Sequence, residues 1–198
     1  FNPDPDFPNN FASNCFANVH RATAVTSSDV NDYAEVEIQS NITGPNSVVF
    51  GRDPESGVAS AGTMAGEVVC FLDETRVQEV FTSFAEGTNV TENTPISSVN
   101  LSRSWLIKNH RQPDDGVGQN AIRSNLTNST NVELFVSEDG ATGGGQTPQV
   151  TTYVVEFEGG FNASVQHVRI EPLFSDQNIT TTFGTTVDLS RSFLTCDN

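Results

Sequence analysis

Few residues in this chain are suited to acid–base or metal chemistry. His20 and His110 each precede an arginine, Arg21 and Arg111, and His167 lies two residues before Arg169. The three share no spacing that would set imidazoles around a zinc ion. The recurring His-Arg pair points to a structural role. G-x-S-x-G, H-E-x-x-H and phosphate-loop patterns are absent from the sequence. Two carboxylate pairs, Asp73-Glu74 and Asp114-Asp115, have the composition for general acid–base work, but nothing sets them apart from an acidic surface. Asp114-Asp115-Gly116 with Asn120 has the oxygen-rich character of a calcium loop without its ligand spacing, and Asp4 with Asp6 is a still weaker candidate. The expectation is a protein that is not an enzyme, with no catalytic residues and no cofactor beyond attached glycans.

The stronger chemistry is that of modification. Seven Asn-x-Ser/Thr sequons occur, at Asn41, Asn89, Asn100, Asn125, Asn128, Asn162 and Asn178. A chain this rich in Asn, Ser and Thr would hold about four by chance, so their position says more than their number. Asn41 matches Asn125, and Asn89 matches Asn178, in an internal repeat described below. Both pairs fall near strand ends, where a glycan can point into solvent. Cys15, Cys70 and Cys196 make an odd count. One pairing joins Cys15 to Cys70 and leaves Cys196 for another chain. The other joins Cys196 to Cys15 of a neighbour and leaves Cys70 a buried thiol. Either suits an oxidising compartment.

Charge narrows the partners. Asp and Glu number 25 against nine Lys and Arg, a formal net charge of −16. Such a surface repels nucleic acid and anionic lipid. No apolar run approaches the ~20 residues of a membrane helix. The acidity fits a protein adapted to high salt and an ordinary secreted surface protein equally well. The expected location is extracellular, at the cell surface.

The elements that must position these residues come in a repeat. Val99-Asn100-Leu101-Ser102-Arg103-Ser104-Trp105-Leu106 is nearly restated by Val187-Asp188-Leu189-Ser190-Arg191-Ser192-Phe193-Leu194. Further matches follow in the same order. Ser40-Asn41-Ile42-Thr43 answers to Ser124-Asn125-Leu126-Thr127, Val68-Val69-Cys70-Phe71 to Val154-Val155-Glu156-Phe157, and Val77-Gln78 to Val165-Gln166. Strict alternation over Tyr33–Gln39 and Val132–Val136, and along Ile179, Thr181, Phe183, Thr185, Val187 and Leu189, is the period of half-buried strands. Val68–Leu72 and Tyr153–Phe157 are denser apolar runs suited to central strands. Turn-rich stretches separate them, as at Gly44-Pro45-Asn46 and Gly143-Gly144-Gly145. The expected fold is all-β: two tandem antiparallel β-sandwich domains related by a repeat of about 90 residues. The expected boundaries are a stiff Pro/Asp-rich leader at 1–10, sandwiches at 11–100 and 101–190, and a connector at 191–198 that opens a further repeat.

The Val-Val-x-Phe strand, the Val-Gln that follows and the closing Val-x-Leu-Ser-Arg-Ser resemble the β-sandwich repeats of prokaryotic surface and appendage glycoproteins, most clearly over 66–106 and 151–194. That resemblance implies a non-enzymatic structural role: a subunit of an N-glycosylated filament or surface fibre, joined head to tail to copies of itself. Val187, Leu189, Phe193 and Leu194 would carry the joint, by adding a strand to a neighbour's sheet. A longer chain continuing with more repeats would build the same linear array. In strand count the chain is also similar to small lectin sandwiches. The alternative is therefore a carbohydrate-binding module of an adhesin, with Arg103, Trp105 and the 114–120 loop exposed.

Overall fold

The computed structural model describes residues 14–25, 38–44, 47–51, 61–71, 75–84, 90–111, 122–136, 148–157 and 164–167, with 182, 184–188, 190 and 192. Within these the protein is all-β. Its strands are β1 (Cys15–Val25), β2 (Gln39–Gly44), β3 (Ser47–Gly51), β4 (Ala61–Cys70) and β5 (Arg76–Ser83), then β6 (Val90–Pro95), β7 (Ser104–Arg111), β8 (Ile122–Asn128), β9 (Asn131–Val136) and β10 (Gln149–Glu156). A short 3-10 turn, Leu101–Arg103, leads into β7. All pairings are antiparallel, in sheets ordered β5-β10-β7, β6-β9-β8, β1-β4 and β2-β3. No described helix is long and apolar enough to cross a membrane.

The best-packed core lies between the two three-stranded sheets. Phe84, Val150 and Val154 from one meet Ile122, Leu126, Val132, Leu134 and Val136 from the other, with Val99 closing one end. Val132, Leu134 and Val136 are buried while Asn131, Glu133 and Phe135 are half-buried, the alternation expected from the sequence. β10 is the central strand. From Val150 to Val155 every residue is fully buried, because Val150, Thr152 and Val154 face this core while Thr151, Tyr153 and Val155 face the other way. Burial on both faces is the reason for the dense apolar run in its sequence.

β5 and β6 precede residue 100, and they pair into the sheets of β7, β8, β9 and β10. The two three-stranded sheets, here the 75–157 sandwich, draw on the described residues between those bounds. The inner face of β5 and its end (Val80, Thr82, Phe84) is buried with β10, not with β1–β4.

β1–β4 and β2–β3 pack on the outer face of the β5-β10-β7 sheet, around Phe16, Ala17, Val77, Tyr153 and Val155. Buried hydrogen bonds fix that contact. Asn109 Nδ2 donates to the Ala17 carbonyl at 2.7 Å and to Ser40 Oγ at 2.9 Å. Tyr153 Oη donates to the Ser40 carbonyl at 3.2 Å, and Gln39 Nε2 to Thr151 Oγ1 at 2.9 Å. Each pairs a polar group that would be costly to bury alone. Cys15 and Cys70 form a disulfide across the first register pair of β1 and β4. At the bulge between Val19 and Arg21, the Asn18 carbonyl comes so near Gly66 that a Cβ there would lie 2.9 Å from it, which excludes any larger residue without a backbone shift.

Glu79, on the same outer face, accepts from the Ile42 N–H at 3.4 Å. Burial raises its pKa above the ordinary carboxylate value, and that hydrogen bond only partly offsets the rise. The folded protein thus binds this proton more tightly than the unfolded chain. The resulting stabilisation is complete below the unfolded value near 4.5 and is lost as pH rises through the raised folded value. In urea titrations across that interval, Glu79→Gln is expected to flatten this part of the pH dependence. An unchanged slope would show that Glu79 does not contribute.

Candidate functional site: a repeated junction

The loop between β6 and β7 is densely bonded, and it contains the first five residues of the repeated octet, whose last three open β7. Gln78, on β5, grips it through both ends of its amide. Its Oε1 accepts from the Ser97 N–H at 2.7 Å and its Nε2 donates to the Ser97 carbonyl at 3.0 Å. The side chain thereby acts as one rung of a β-ladder. Ile96 and Val99 then bond backbone-to-backbone with Thr130 and Ser129, at the β8–β9 turn. Asn100 caps the 3-10 turn: its Oδ1 accepts from the Ser102 N–H at 3.1 Å and from Ser102 Oγ at 2.8 Å. Ser104 Oγ donates to the Asn100 carbonyl at 2.8 Å.

Glu156, at the end of β10, anchors the base of the loop. Oε1 accepts from the Asn100 N–H at 2.6 Å, and Oε2 pairs with Arg76 Nη2 at 2.6 Å. The carboxylate side chain is 7 % exposed and the arginine 46 %. The charge is thus buried on one side and hydrated on the other, which keeps its desolvation cost low. Beyond the loop, Phe157 N bonds the Arg103 carbonyl and Val165 N bonds the Ser102 carbonyl.

The same bonds recur later in the chain. Gln166 Oε1 accepts from the Thr185 N–H at 2.8 Å and Gln166 Nε2 donates to the Thr185 carbonyl at 3.1 Å. Gln78 and Ser97 are 19 residues apart, and so are Gln166 and Thr185. Asp188 Oδ1 accepts from the Ser190 N–H at 2.9 Å and from Ser190 Oγ at 2.7 Å, as Asn100 does from Ser102. These two bonds hold the Asp188 carboxyl below its ordinary pKa. Every one of these residues lies 88 positions after its counterpart (166 less 78, 185 less 97, 188 less 100, 190 less 102).

The strands repeat as well. β1–β4 opens on Cys15↔Cys70 and Phe16↔Val69, and β7–β10 on Ser104↔Glu156 and Trp105↔Val155. Phe71 N bonds the Asn14 carbonyl just as Phe157 N bonds that of Arg103. Both hairpins slip register at the same place, between Ile42 and Gly44 in one and between Leu126 and Asn128 in the other. By this register Cys15 answers to Ser104, and Phe16 to Trp105. The disulfide of the first unit therefore stands where the second has Ser104 and Glu156. Counterpart aromatics also meet. Phe16 and Trp105 lie 5.8 Å apart edge to face, and Phe71 and Phe157 5.9 Å. These ring contacts pack the start of β1 and the end of β4 against the start of β7 and the end of β10.

Among the described sequons, Asn100 and Asn128 are exposed, and Asn41 and Asn125 are half-buried on β2 and β8. Asn128 Oδ1 accepts from the Thr130 N–H and hydroxyl at 2.8 and 3.0 Å, repeating the Asn100 geometry. In both, these bonds use the side-chain oxygen and leave out the nitrogen that would carry a glycan. Trp105 stacks on Phe157 at 6.2 Å, within the aromatic cluster. His167 Nε2 lies 3.3 Å from the Leu101 carbonyl, and among the described residues no group of three His, Cys, Asp or Glu could hold a metal.

Val187 is half-buried and lies outside any described strand. Leu189, Phe193, Leu194 and Cys196 lie outside the described residues, as do Asn89, Asn162, Asn178, Asp73-Glu74, the 114–120 loop and the 1–10 leader. Ser97, Thr185 and the anchoring role of Glu156 were not singled out by the sequence. The equal spacing of Gln78–Ser97 and Gln166–Thr185 was the available signal. Comparison with protein-family models, with curated proteins and with solved structures finds no match.

Proposed function

We propose that this protein is a structural subunit of an extracellular, N-glycosylated filament or surface fibre, assembled head to tail with copies of itself and performing no catalysis. The observation that carries this reading is the junction: one set of side-chain bonds occurs twice, 88 residues apart, the first time leading from β6 into β7. A device repeated along a chain suits a linear array better than a single binding site. The disulfide is compatible with an oxidising exterior. The net charge of −16 disfavours nucleic acid and anionic membrane as partners. Trp105, which a lectin reading would present to sugar, is instead packed with Phe16 and Phe157, so the carbohydrate-binding alternative loses its main candidate contact.

Two experiments test this reading. Deleting 187–198 is expected to leave subunits that do not polymerise; fibres of normal length from that variant would rule out this segment as the joint. In native material, intact mass should exceed 21.3 kDa by several glycans. Asn100→Gln and Asn128→Gln should each remove one glycan mass. A native protein of bare mass would defeat the glycoprotein reading.

A further inference from the structure

In the 75–157 sandwich, β5 and β6 cover strand edges: β5 pairs with β10, and β6 with β9. The first unit has the same parts. β4 corresponds to β10 by register and β3 to β9 by its bulged hairpin. Among the described residues β4 pairs as a strand with β1, and β3 with β2. Gln166, 88 residues after Gln78 of β5, carries the clamp to Thr185 that corresponds to the clamp from β5 to Ser97 in the loop after β6.

We propose that residues 164–167 of one molecule seat on the β4 edge of a second copy, taking there the place that β5 takes on β10 within the chain. This deepens the filament reading and rests on it. It moves the joint to 164–167, beside the Gln166–Thr185 clamp. It also fixes a register. Glu79 pairs with Tyr153 in the internal sandwich; Glu79 answers to His167 and Tyr153 to Glu67. His167 of one molecule therefore lies opposite Glu67 of the next. Val165 lies opposite Val69, as Val77 does opposite Val155. Both Glu67 and His167 are exposed in the single chain. The backbone ladder supplies the affinity.

The test uses full-length chains in a Cys196→Ser background. One preparation carries Glu67→Cys and the other His167→Cys, mixed under mild oxidation. Directly opposed antiparallel residues lie within disulfide reach, at about 5.5 Å or less between Cα atoms. A covalent dimer at twice the single-chain mass is expected from the mixture. Either preparation alone should give at least tenfold less, and so should a mixture with the first cysteine moved one place, from Glu67 to Val68. Equal yields from all pairings would overturn the register. If the double variant Glu67→Cys/His167→Cys cross-links only within single chains, the element folds back on its own molecule and the proposal fails. No cross-link from material that micrographs show as filaments would overturn this joint and leave the filament reading intact. No cross-link and no filaments would remove both.

Discussion

Replacing Cys15 and Cys70 by serine is expected to cost about 4 kcal/mol, the chain-entropy value for a cross-link closing a loop of 55 residues. The loss should be local. The disulfide ties β1 to β4, whereas the 75–157 sandwich closes on its own apolar core between two three-stranded sheets. The variant should therefore become sensitive to protease across 14–71 well before the later strands are cut. Denaturant unfolding should separate into two steps where the parent shows one. A shift below about 1 kcal/mol, or simultaneous cleavage of both regions, would show that the disulfide is not what holds the first unit closed.

Tyr153→Ala should cost a similar amount, about 4 kcal/mol, as expected for emptying a fully buried aromatic site. Tyr153→Phe should cost only about 1 kcal/mol, the net value of the hydrogen bond to the Ser40 carbonyl. The contrast identifies the stronger effect. Tyr153 sits among Phe16, Ala17, Val77 and Val155, so its ring holds β1 and β2 against the central sheet while its hydroxyl only positions β2. Comparable losses from both substitutions would mean that the buried polar network, not packing, governs this contact.

Much of the fold was legible because period-two patterning survives wherever a strand is buried on one face, as at Val132–Val136. The double burial of Tyr153–Glu156 was legible too, since a strand covered on both faces cannot alternate. The local form of the octet at 99–106 was not: it runs from a loop through a 3-10 turn into β7, between strands that share sheets. Sequence identity marks where a motif recurs; only strand pairing decides which elements share a core. The junction was half legible. Gln78 and Gln166 stood out by identity, but their partners Ser97 and Thr185 bond through the backbone, where the side chain is free to vary. Glu156 looked like one more acidic residue because its role depends on the Asn100 N–H and Arg76 arriving from distant positions.

Electron microscopy of the native material tests the central claim most directly. Linear filaments with a regular axial repeat, built from this chain and losing mass on deglycosylation, are the predicted result. Discrete, unglycosylated particles of single-chain size, at concentrations where the native protein is abundant, would contradict it.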